Sequence, residues 1–74
     1  MIIKLIDGDT IKLLSGVDTY EVGGGLLMVN RTVPIPDGKG GSQMATVVEE
    51  YNLVAYDRIY LMSPRDGATI DRIK

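Results

Sequence analysis

The chain has no cysteine, histidine, tryptophan or phenylalanine. Without cysteine there is no disulfide, no thiolate zinc site and no cysteine nucleophile. Without histidine, every mechanism that moves a proton through an imidazole is closed, the Ser-His-Asp triad included. Long apolar runs are also missing. Met1-Ile2-Ile3-Lys4-Leu5-Ile6 breaks at Asp7-Gly8-Asp9, too short for a signal-peptide core and without a small-residue cleavage site. Nothing approaches the ~18 apolar residues that span a bilayer, and neither end carries a lipidation motif. These features predict an intracellular, cytoplasmic protein that does not associate with membranes.

An excess of one charge is absent as well. The 74 residues carry 8 Lys+Arg against 10 Asp+Glu, a formal net charge of −2. With 45% hydrophobic and 24% charged residues, the composition is that of a globular domain rather than a disordered acidic tail or a basic nucleic-acid arm. The length allows one domain, residues 1–74, and leaves no room for a second core.

What is present reads as strand nearly throughout: short β-branched apolar segments separated by glycine or aspartate clusters. Ile2–Ile6 and Thr10–Leu14 flank Asp7-Gly8-Asp9 as a hairpin, with the glycine free to take a positive φ. Ser15–Asp18 turns the chain into Thr19–Val22, and Gly23-Gly24-Gly25 sets up a second hairpin with Leu26–Val33. Residues 34–42, Pro34-Ile35-Pro36 followed by a Gly/Ser-rich stretch, read as a flexible loop, because proline lacks the amide that a central ladder needs. Met44–Tyr51 favours strand over a helical turn through Thr46-Val47-Val48. Leu53–Arg58 reads as a turn or 3₁₀ crossover, Ile59–Met62 as strand, Ser63–Gly67 as a turn and Thr69–Ile73 as a charged edge strand. Six or seven short strands joined in order predict an all-β antiparallel meander, a partly closed barrel or a curved sheet.

Alternation fails in an informative way. Ile3 and Leu5 share one face of the first strand while Ile2 and Ile6 occupy the other, and Leu26 and Met28 oppose Leu27 and Val29. A domain this small buries only ~60% of its unfolded surface, and no cross-link or metal can compensate here. Self-association is the remaining device, so a homo-oligomer is expected to bury Ile2 and Ile6 or Leu27 and Val29 between subunits.

Three groups of residues have the composition of a site. Tyr51, Tyr56 and Tyr60 with Arg58 form the main aromatic concentration, and Tyr56, Arg58 and Tyr60 compose a candidate protein-binding patch, Tyr and Arg being enriched at binding hot spots; burial of the rings in the core is the competing reading. Gly24 and the segment Lys39, Gly40, Ser42 could cradle a small anion such as a nucleotide through bare amides, yet neither glycine cluster has P-loop or dinucleotide-fingerprint spacing, and turn chemistry explains both. Asp7/Asp9 and Glu49/Glu50 lack the ligand number of a calcium loop and the cleft of a glycosidase pair. No catalytic residue, metal ligand or cofactor is expected.

The resulting expectation is a non-enzymatic, self-associating protein-interaction module, suited to an accessory, structural or inhibitory role, including one carried by a phage or mobile element. A binder of small anions is the alternative. The sequence pI of about 4.8 argues against nucleic acid, although the tyrosines would suit base stacking.

Overall fold

A computed structural model describes residues 1–74. Seven strands, β1 (Ile2–Asp7), β2 (Thr10–Leu14), β3 (Val17–Gly23), β4 (Leu26–Pro36), β5 (Ser42–Asn52), β6 (Arg58–Met62) and β7 (Thr69–Arg72), account for most of the chain, with one 3₁₀ turn at Leu53–Ala55. They form two antiparallel sheets, one of order β2-β1-β6-β7 and one of order β3-β4-β5. The fold is all-β with curved sheets and no closed barrel. Met44–Tyr51 lies within β5 and is strand. Pairing follows chain order within each hairpin; the exception is β6, which returns beside β1.

Local chemistry sets the two tight hairpins. Asp7 pairs with Thr10, and Gly8 between them has φ +57, the positive first position of a type II′ turn. Gly23 pairs with Leu26, and both central residues, Gly24 (φ +60) and Gly25 (φ +76), are positive, as type I′ requires. Each turn matches the right-handed twist of its strands and thereby fixes the register of every pair that follows.

The expected loop over 34–42 is shorter in the structure. Pro34, Ile35 and Pro36 belong to β4 and pair with Met44, Gln43 and Ser42 of β5, leaving residues 37–41 as the connection. Proline is tolerated because β3 reaches only as far as Arg31. Beyond that point β4 has a neighbour on one side, and Pro34 and Pro36, two apart, direct their nitrogens to the same vacant side. The outer half of the β4–β5 hairpin is therefore a two-stranded arm with an edge that accepts no further strand at the prolines.

One core joins the sheets. Ile3, Leu5, Leu14, Ile59 and Leu61 come from the four-stranded sheet and Val17, Leu27 and Val29 from the three-stranded one, and all eight are buried. Tyr20, Tyr51, Leu53, Tyr56 and Ile73 pack around them. The chain crosses from one sheet to the other at Ser15-Gly16, where Thr32 donates its amide to the Gly16 carbonyl (2.8 Å) and Val17 donates to the Met1 carbonyl (2.9 Å).

The seam between the sheets is polar and charged. Arg31 donates through Nε to the Ser15 carbonyl (2.9 Å) and through Nη1 to Glu49 Oε1 (2.8 Å), the chain's one ion pair. Lys12 lies 5.2 Å from the centre of the Tyr51 ring, and Lys74 Nζ donates to the carbonyls of Leu53 and Tyr56. Burial first, and the Glu49 carboxylate second, push the Tyr51 hydroxyl up to about 12.

The Arg31 hydrogen bond holds Glu49 below its ordinary value of 4.5, outweighing a partial burial that acts the other way. A lowered folded pKa means that the unfolded chain binds the proton first as pH falls, so this pair stabilises above about 4.5 and its contribution is lost below it. Glu49 is a third exposed, with side-chain exposure of 34%, so Glu49→Gln is expected to cost about 0.5–1 kcal/mol at neutral pH. It should also flatten the corresponding acid loss of stability in urea melts. An unchanged acid limb would assign the pH dependence to other carboxylates.

Candidate functional site

Because Ile3, Leu5, Leu14, Ile59 and Leu61 point into the core, the alternate residues of the same strands must point outward. Pairing then arranges them in rows. Ile11, Ile6 and Arg58 stand side by side across β2, β1 and β6; Leu13, Lys4, Tyr60 and Arg72 form the next row across all four strands. Ile2 stands opposite Met62, and Met62 opposite Thr69, with Ile70 the extra residue of an irregularity in β7. Ile11 and Leu13 are 55% and 59% exposed, while Ile2, Lys4, Ile6, Tyr60 and Met62 are half-buried.

This face is apolar, aromatic and basic. Lys4, Arg58 and Arg72 are its charges, none has a carboxylate within ion-pair distance, and no acid occupies an outward ladder position on these strands.

Two sets of expected residues meet here. Arg58 and Tyr60, read as a protein-binding patch, and Ile2 and Ile6, read as an oligomer contact, occupy one continuous surface. Tyr56 does not join them. β6 begins at Arg58, and Tyr56 packs toward the core, edge to face against Tyr51 with ring centroids 6.4 Å apart. Leu27 and Val29 are also corrected: both are 0% exposed within the chain's own core and have no surface to offer a second subunit. On β4 the outward residue between them is Met28, 38% exposed.

The glycine segments do not form an anion site together. Gly24 lies at one end of β4 and Lys39, Gly40 and Ser42 lie past the other, and the 11 residues of β4 span about 36 Å at roughly 3.3 Å per residue. At the arm tip the amides of Lys39 and Gly41 already donate to Asp37 Oδ1, at 2.7 and 3.2 Å, so a carboxylate of the chain itself fills the place a phosphate would take. Asp57 is likewise engaged, accepting from the Gly8 amide at 2.6 Å.

Sequence reasoning missed Ile11, Leu13, Met62, Lys4 and Arg72 as members of the face. Alternation on β2 points the wrong way, since Thr10 and Lys12 are polar and Ile11 and Leu13 apolar, yet Leu14 is the core residue; the others required knowledge that β6 and β7 extend the first hairpin. No helix is long and apolar enough to cross a membrane. No protein-family model, curated protein or solved structure matches the chain.

Proposed function

We propose that this chain is a non-enzymatic protein-interaction module that self-associates, serving as an accessory, structural or inhibitory component of a larger assembly. The observation that carries the reading is the outer face of the four-stranded sheet. Ile2, Ile6, Ile11, Leu13 and Met62 lie in adjoining rows around Tyr60, flanked by Arg58 and Arg72. Aromatic and arginine residues amid aliphatic ones are the composition of interface centres, which are depleted in acidic groups. Single exposed aliphatics are ordinary, but a contiguous patch of this kind on a small domain marks an interaction surface.

Small-scaffold energetics support the same reading. The core holds eight buried residues and no cross-link, and covering a second apolar face is how such domains gain stability. The small-anion alternative loses its support with the separation of Gly24 from Lys39 and the engagement of the tip amides by Asp37.

The test is a paired substitution on the most exposed edge of the face. Ile11→Gln with Leu13→Gln is expected to leave the far-ultraviolet dichroism unchanged and to lower the sedimenting mass below that of the parent chain at the same micromolar concentration. Equal masses for parent and variant, with the parent already at 8.1 kDa, would remove the basis for self-association.

A further inference from the structure

We propose that copies of this chain associate front to back, the basic face of the four-stranded sheet seating on the acidic outer face of the three-stranded sheet of the next copy. This rests on the self-association reading above and specifies its geometry. The carrying observation is a partition of charge. On the three-stranded sheet, Leu27 and Val29 point inward, so Met28 points outward, and its cross-strand partners are Glu21 on β3 and Glu50 on β5. The row Glu21, Met28, Glu50 thus sits on the outside, all three exposed.

Asp18 lies on the same side, accepting a hydrogen bond from Thr32 Oγ1 at 2.6 Å, and Thr32 shares its parity with Met28 along β4. No lysine or arginine accompanies these acids: Arg31 points inward to Glu49, and Lys12 lies over Tyr51. The carboxylates of Glu21 and Glu50 have no ion-pair partner, just as Lys4, Arg58 and Arg72 have none on the other face.

The two outer faces therefore carry three unpaired cations and three carboxylates, and they point away from each other across one shared core. Both are apolar between their charges. Leu26, Met28, Val48 and Met44 stand on the acidic side, with Val48 and Met44 61% and 64% exposed. A shallow depression bordered by Glu21, Val22, Gly23 and Met28 is a receptor of suitable chemistry for a tyrosine or arginine projecting from the basic face. A symmetric contact of the basic face with itself would instead set Lys4, Arg58 and Arg72 against their own copies, and like charges brought together at an interface are penalised. Complementary faces on different sides of one chain make a heterologous contact, which closes into a ring or continues as a filament according to the rotation per step.

The experiment separates this geometry from self-association in general. A front variant, Leu13→Gln with Arg58→Gln and Arg72→Gln, strips one face. A back variant, Glu21→Gln with Met28→Gln and Glu50→Gln, strips the other. All six positions are exposed, so both chains are expected to keep the parent's far-ultraviolet dichroism; if either does not, the single substitutions Arg58→Gln and Glu21→Gln carry the same comparison.

Front-to-back association predicts that each variant alone sediments as a monomer. An equimolar mixture should then form one species of twice the 8.1 kDa chain mass and nothing larger, since each chain keeps one working face. A back variant that retains the parent mass while the front variant is monomeric would establish a symmetric contact, overturning this geometry and leaving self-association intact. Two variants that both keep the parent mass, or that stay monomeric when mixed, also overturn it. A parent chain that is monomeric throughout defeats the self-association reading itself.

Discussion

Gly16→Ala is expected to cost about 3 kcal/mol or more, a large share of a total stability on the order of 4–11 kcal/mol for a domain of this length. Two independent effects add at this position. Gly16 has φ +67, and a Cβ there would sit 2.3 Å from the Thr32 carbonyl oxygen, far inside contact distance. The left-handed conformation alone costs a non-glycine residue roughly 1–2 kcal/mol.

The clash adds to this because neither partner can retreat: the Thr32 amide is bonded to the Gly16 carbonyl, and Arg31 beside it holds Ser15. This is the joint between the two sheets, so relief of the clash would separate the halves of the core. Gly8→Ala supplies the comparison, since Gly8 has φ +57 with nothing within 4 Å of the added carbon. It should lose only the conformational part, about 1 kcal/mol. Equal losses for the two variants in urea denaturation would show that the crossing at Gly16 is not tightly held.

Leu27→Lys is expected to abolish the cooperative fold altogether. Leu27 is 0% exposed, opposite Tyr51 and Val22 in the sheet, and an ammonium in that position loses its hydration without finding a partner. Such a substitution ranks among the few mechanisms that exceed 4–5 kcal/mol. Met28→Lys, one residue along the same strand, places its charge between Glu21 and Glu50 on the exposed side and should keep a cooperative melt. Thermal melts of the two variants therefore read the parity of β4 directly; a folded Leu27→Lys chain would mean that the opposite face of the strand is the buried one.

That parity shows where the sequence was legible and where it was not. Leu26, Leu27, Met28 and Val29 are all apolar, so periodicity alone leaves both faces of β4 open. The information lies across the hairpin: with Gly24 and Gly25 as its two central residues, Glu21 must oppose Met28, and a carboxylate on that side sends Met28 to solvent. The glycine turns, the strand character of Met44–Tyr51 and the shared face of Arg58 and Tyr60 follow from local pattern. The neighbourhood of β1 and β6 does not, because the pair Ile6 and Arg58 is distant in the chain and no local signal announces it. The assembly of the candidate face depends on that pairing. Pro34-Ile35-Pro36 misled for a definite physical reason: a missing amide excludes proline only from a strand with neighbours on both sides, and β4 has lost one of them by then.

The most direct test of the account is sedimentation of the unmodified chain over a concentration series from micromolar to millimolar, at low salt and at about 1 M salt. The account predicts a mass that rises above 8.1 kDa with concentration at low salt and a weaker rise at high salt, where the Debye length shrinks to about 3 Å and exposed complementary charges are screened. A folded species that stays at the monomer mass across the whole range at both salts would contradict it.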